Sequence, residues 1–115
     1  MKIKEIKDIL EAEVLCGEKL MEYEVKNVFA SDLMSDVLAF ARNKTLLLTG
    51  LTNSQVVRTA EMIDLGAIIF VRGKRPEEET VELACENNII LMVTRDTMYA
   101  ASGKLYGRGL PGISL

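Results

Sequence analysis

The stretch from Thr45 to Gly73, TLLLTGLTNSQVVRTAEMIDLGAIIFVRG, constrains the fold more than any other part of the chain. It reads as strand, tight turn, helix, strand. Leu46 to Leu48 is a wholly apolar run closed by Thr49-Gly50. Thr52, Asn53 and Ser54 are residue types that cap a helix start, because their side chains satisfy amides the first turn leaves unpaired. Val56, Val57, Ala60 and Ile63 then fall on one helical face. Gly66 stands where a left-handed residue is expected to end the helix. Ala67 to Val71 is a second apolar run. Two all-apolar strands joined by a helix imply a parallel pair buried on both faces, with a right-handed crossover.

The same alternation extends on both sides. Ile3, Ile6, Ile9 and Leu10 predict an amphipathic helix over residues 2–10. Ala12 to Cys16 reads as a short strand or extended link, and Val25 to Ala30 as a strand. Ser31 or Asp32 is expected to cap a helix reaching Ala41, with the stripe Leu33, Met34, Val37, Leu38 and Ala41 turned to the core and Asn43 ending it. After Gly73, Pro76 suits a first helical position, with Glu77 to Glu79 on the positive end of the helix dipole. That helix runs to Asn87-Asn88. Ile89 to Val93 is a third apolar strand. Thr94 to Thr97 opens a last helix through Met98, Ala101 and Leu105, and Gly103, Gly107, Gly109 and Gly112 predict an irregular tail. Three parallel strands, near 46–49, 67–71 and 89–93, alternate with helices in a small three-layer α/β/α domain with a mainly parallel sheet.

A chain of 115 residues is one domain by length, and an apolar fraction of 49% supplies an aliphatic core without a staple. Cys16 and Cys85 are far apart in sequence and the chain has no histidine, so a metal site is not expected. Both cysteines read as reduced, as in a cytoplasmic protein, with Cys85 a small apolar residue on a buried helix face. The missing histidine removes the usual general base near neutral pH. No apolar run approaches the ~20 residues of a membrane span. A net charge of −3 argues against nucleic-acid binding. The charge is uneven: residues 1–40 carry five lysines against nine acids, so an anion site belongs in the later part.

In open parallel sheets ligands bind beyond the carboxyl ends of the strands. Three turns meet that edge: Thr49-Gly50-Leu51-Thr52-Asn53-Ser54, Arg72-Gly73-Lys74-Arg75 and Thr94-Arg95-Asp96-Thr97. One reading makes them an anion or nucleotide site, in which Thr49, Gly50, Thr52, Asn53, Ser54 and Thr94 supply donors and Arg72, Gly73, Lys74 and Arg95 surround the charge. The other makes them ordinary polar loops capping helices. The glycine spacings of dinucleotide and P-loop motifs are absent. Asp96 is the one acid near the rim with the chemistry for a phosphotransfer enzyme.

The segments Val28 to Leu38 (VFASDLMSDVL), Leu48-Thr49-Gly50, Ile69 to Gly73, and the later Thr94, Met98, Gly103 and Gly107 together resemble a DRTGG domain over nearly the whole chain. That resemblance implies a fold similar to the amino-terminal domain of HPr kinase/phosphorylase. It implies a regulatory or assembly role without catalysis or cofactor, as a homodimer or with a protein partner. Such domains stand beside CBS domains in regulated pyrophosphatases, or alone near hydrogenase and sensor-kinase systems. One departure is visible: relatives often read Gly-Asp-Arg after the central strand, where this chain has Gly50-Leu51-Thr52.

Overall fold

The computed structural model describes residues 1–114. The elements follow in the order α1 (Ile3–Leu10), β1 (Glu13–Cys16), a 3-10 turn (Glu18–Leu20), β2 (Asn27–Ala30), α2 (Met34–Phe40), β3 (Thr45–Thr49), α3 (Ser54–Met62), β4 (Ala67–Phe70), α4 (Glu78–Glu86), β5 (Ile90–Val93) and α5 (Met98–Gly107). They build a five-stranded sheet in the order β1-β5-β4-β3-β2. Strands β2 to β5 are parallel and stand side by side in chain order. Strand β1 is antiparallel to β5 and closes the far edge. The expected parallel strands are therefore present, joined by β2 as a fourth.

All residues of β3, β4 and β5 are buried, as runs without polar alternation require. Side chains alternate between two cores. Leu46, Leu48, Ala67, Ile69, Ile90 and Met92 pack with α1 and α5. Leu47, Ile68, Phe70, Leu91 and Val93 pack with α2, α3 and α4. The outer edge of β2 is covered by the chain's end: Val28 N–H donates to Pro111 O, and Ile113 N–H to Val28 O, at 3.0 and 3.2 Å. This pairing covers an edge that would otherwise offer free amides.

Several local expectations are corrected. Residues Met34, Val37 and Ala41 do face the core, but Leu33 and Leu38 are 58% and 41% exposed, because α2 is only seven residues long and seats one narrow stripe. The chain after α2 turns left-handed at Lys44, not Asn43. Pro76 lies before α4, whose first residue is Glu78 after Glu77 as N-cap. Gly103 and Gly107 belong to α5 and do not make the tail irregular. Cys85 is exposed and joined to Cys16 in a disulfide, so neither sulfur is a free thiol. Val81 and Ala84 supply the apolar side of α4 without it.

Gly66 is required for a reason other than helix ending. After α3 the left-handed position is Asp64, whose short polar side chain tolerates it. A Cβ on Gly66 would stand 2.6 Å from the Tyr23 hydroxyl. Lys44 Nζ covers the same ring at 4.4 Å from its centroid. Gly103, by contrast, has nothing within 4 Å of where a Cβ would stand. The two glycines therefore respond oppositely to alanine. Gly66→Ala lowers stability by about 1–3 kcal/mol, through overpacking. Gly103→Ala raises it by about 0.5–1 kcal/mol, through helix propensity. Urea denaturation of the two variants checks both signs.

Candidate functional site

Because β2 to β5 run parallel, their carboxyl ends deliver four turns to one rim: Ser31-Asp32, Thr49-Gly50, Val71 to Lys74, and Thr94 to Asp96. Backbone bonds stitch them together. Ser31 N–H donates to Leu48 O and Val71 N–H to Thr49 O, both at 3.0 Å. Arg72 N–H donates to Asp96 O and Gly73 N–H to Thr94 O, both at 2.8 Å.

Asp32 does not cap α2. Nor does Ser31: the N-cap is Leu33, without a side-chain cap bond, and the Ser31 hydroxyl oxygen accepts from Leu33 N–H at 3.0 Å ahead of the helix. Asp32 instead reaches across to the next turn. Its Oδ1 accepts from the Thr49 hydroxyl at 2.9 Å and from Gly50 N–H at 2.7 Å. Thr49 Oγ1 in turn accepts from Leu51 N–H at 3.1 Å. One carboxylate thus fixes the turn after β3. Sequence reading missed this role because a Ser-Asp pair before a helix looks like a cap; the strand preceding it, whose carboxyl end must also meet the rim, was the available signal.

Arg72 and Gly73 are consecutive left-handed residues, with φ of 60° and 66°. A non-glycine residue there costs about 1–2 kcal/mol, and the bonds to Asp96 and Thr94 hold it. The other left-handed non-glycine residues, Glu11, Lys44, Asp64 and Asn88, each follow a helix; Arg72 follows a strand. Its guanidinium lies over Gly50, where a Cβ would stand 2.8 Å from the nearest nitrogen. Gly50 thus makes room for the Arg72 side chain. Among the described residues Arg72, Lys74 and Arg95 are exposed and form no ion pair.

The remaining candidates divide. The Thr94 hydroxyl donates to Leu10 O at 2.8 Å in the interior, and Thr49 is committed to Asp32, so neither hydroxyl faces outward. The Asn53 side-chain oxygen caps α3, accepting from Gln55 N–H at 3.0 Å. Thr52, Asn53 and Ser54 line a groove of about 610 Å³ between α3 and α4, with Arg58, Arg75 and several glutamates. Gly73, Thr94 and Arg95 line a separate hollow of about 320 Å³, with Glu13 and Arg75. Arg75 borders both and is engaged by Glu13 through two bonds of 2.9 Å. Asp96 holds Lys104 Nζ at 2.9 and 3.1 Å. The arrangement can attract an anion through its cations. The rim's own acid, Asp96, is paired with Lys104, while Glu11 also lines the hollow beside Arg95.

A family model described as the DRTGG domain matches residues 5–105. The chain belongs to the DRTGG domain family. This DRTGG domain is also similar in fold to the crystal structure of the CBS and DRTGG domains of the regulatory region of Clostridium perfringens pyrophosphatase, complexed with its activator, diadenosine tetraphosphate. The TM-score is 0.74 at 21% identity, over 96% of this chain and 47% of that one. The chain thus spans about half the length of that structure, and the likeness is one of fold. No curated protein sequence matches the chain significantly. Among the described residues no helix is long and apolar enough to cross a membrane.

Two outcomes follow from this geometry. Asp32→Ala leaves Gly50 N–H and Thr49 without their shared acceptor and lowers stability by about 1–3 kcal/mol. Glu61→Ala, on the exposed side of α3, stays within about 0.5 kcal/mol; urea midpoints of the two variants test the contrast. The Glu13 carboxyl is held below its usual 4.5 by the hydrogen bond from Arg75 and then by its charge. A lowered pKa means the pair stabilises the fold above that usual value and is lost as pH falls through the depressed one. In Arg75→Ala the Glu13 titration, followed by side-chain carboxyl NMR, returns upward toward 4.5.

Proposed function

We propose that this DRTGG domain is a non-catalytic regulatory module of the cytoplasm, which senses a nucleotide or another phosphorylated metabolite at the carboxyl-end rim of its sheet. The observation that carries the reading is Arg72, held left-handed over Gly50 with no carboxylate partner among the described residues. A guanidinium presents a planar fork that matches phosphate oxygens two at a time. Lys74 and Arg95, exposed on the same rim, add charge, which favours a ligand with several phosphates. Gly73 admits it closely, and Thr52, Asn53 and Ser54 extend the polar surface along α3. The backbone amides of Arg72 and Gly73 are already bonded within the fold, so recognition rests on side-chain charge. The absence of catalysis is supported by Asp96, whose carboxylate is occupied by Lys104. The activator in the Clostridium perfringens regulatory region makes diadenosine tetraphosphate the first ligand to try. The three-layer reading, with α1 and α5 opposite α2 to α4, and the likeness to the amino-terminal domain of HPr kinase/phosphorylase belong to the same proposal.

A second observation favours self-assembly. Tyr99 and Tyr106 are 91% and 75% exposed on α5 and flank Gly103. With Val28 and Leu110 they line a shallow, mainly apolar hollow of about 320 Å³. Aromatic residues of this kind anchor interfaces, so a homodimer through α5 completes the proposal.

Thermal unfolding with mono-, di- and trinucleotides, diadenosine tetraphosphate, acetyl phosphate and phosphate tests the ligand reading. A ligand at ~100 times its dissociation constant adds ~2.7 kcal/mol, several degrees in Tm. The shift disappears in the Arg72→Ala/Arg95→Ala double variant and in Gly50→Ala, which displaces Arg72. A flat panel, or a full shift in the double variant, contradicts the site. Sedimentation of the wild type and of Tyr99→Glu/Tyr106→Glu tests assembly: the variant is a monomer and the wild type a dimer. A wild type that stays monomeric at high concentration contradicts it.

A further inference from the structure

Strand β1 is one of the two outer strands of the sheet, and its hold on β5 is irregular at the cysteine end: the register shifts between Val14 and Cys16. Strand β1 and α4 share one apolar cluster, with Leu15 and Cys16 on the strand and Val81, Leu83 and Ala84 on the helix, and a pair of cross-links, one at each end of the strand, adds to it. At the amino end Glu13 holds Arg75 by two bonds of 2.9 Å, an exposed ion pair of the kind that contributes little to stability. At the carboxyl end Cys16 is bonded to Cys85, 69 residues away, with Cα atoms 5.7 Å apart, inside the range a disulfide spans without moving the backbone. Cys16 is buried, whereas Cys85 lies on the exposed side of α4.

We propose that Cys16–Cys85 is a reversible redox site, opened by a dithiol protein or a small thiol, and that reduction releases α4 from β1. The placement of the two cysteines selects the direction of attack. A thiolate of the reductant attacks the sulfur of the exposed Cys85; the sulfur–sulfur bond breaks and its electron pair leaves on Cys16, which takes up a proton. The second thiol of the reductant then attacks the mixed disulfide and releases Cys85 as the second thiol. The reductant leaves as a disulfide, having supplied two electrons and two protons. In the cytoplasmic setting proposed above, a disulfide is transient and redox-sensing more often than structural. Helix α4 forms one wall of the groove that Thr52, Asn53 and Ser54 line from the other side, so its release changes the surface next to the rim. The inference does not depend on any ligand binding there.

The test uses the wild-type chain, oxidised with glutathione disulfide and then reduced with dithiothreitol, with thiols counted by maleimide addition after denaturation. The oxidised protein takes up no maleimide and the reduced protein takes up two. Reduction lowers Tm by on the order of 10 °C, because a loop of this length is no longer closed in the unfolded chain. It speeds amide exchange in α4 by about tenfold or more while β3 and β4 stay protected, and re-oxidation restores both. The Cys16→Ser/Cys85→Ser variant shows no response to either reagent. Two adducts on the oxidised wild type overturn the proposal, as does reduction that leaves Tm and α4 exchange unchanged.

Discussion

The parallel ladder from β2 to β5 is the constraint on which the rest of this molecule depends. Every residue of β3, β4 and β5 is buried, so each backbone amide there must find its partner in a neighbouring strand. That requirement brings the strands side by side in register and gathers their carboxyl ends along one line. Each crossover helix must then pack back on the sheet, which gives α2, α3 and α4 a common core. The rim is thus a consequence of apolar runs and backbone pairing before any ligand is considered. Because the parallel strands follow one another in chain order, there is no reversal among them to open the deep crevice that many nucleotide-binding sheets use. The rim is correspondingly shallow, and it divides into a groove beside α3 and a hollow beside Arg95.

The polar groups of that rim fall into two kinds. Asp32, Thr49, Thr94 and the amides of Arg72 and Gly73 bond one another or the nearby backbone, and so make the turns rigid. Arg72, Lys74 and Arg95 are left facing water. A site in which the donors stabilise the scaffold and only the cations meet the ligand is expected to bind through charge, with strong dependence on salt. That fits a sensor of a multiply charged metabolite better than a site built for chemistry, where groups must be aimed at particular atoms.

Much of the fold was legible because period and composition agreed. Leu46 to Leu48, Ala67 to Val71 and Ile89 to Val93 have no reading except buried parallel strands once helices lie between them. Cap chemistry was legible where the side chain acts locally, as at Asn53. It was misread where a residue of the same type serves a distant partner: Asp32 looks like a cap but bonds the turn after β3. Gly66 was similarly expected to end a helix by its own backbone freedom, yet it is needed because Tyr23 arrives from forty residues earlier. Leu33 and Leu38 fit an apolar stripe by spacing, but spacing does not report how few residues of a short helix reach the core. The Cys16–Cys85 pair was invisible because the order of β1 beside β5 was unknown. For the site, the three turns were found from topology alone, whereas which hydroxyls face inward depends on the packing of Leu10 and Asp32.

The most direct test of the central claim is a chemical-shift map of the backbone amides during titration with diadenosine tetraphosphate. The account predicts that saturable shifts concentrate at Gly50, Arg72, Gly73 and Arg95, weaken as salt is raised, and leave the Tyr99–Tyr106 face of α5 unmoved. Shifts centred away from the rim, or no saturable shift for this ligand or any other phosphorylated compound, would contradict it.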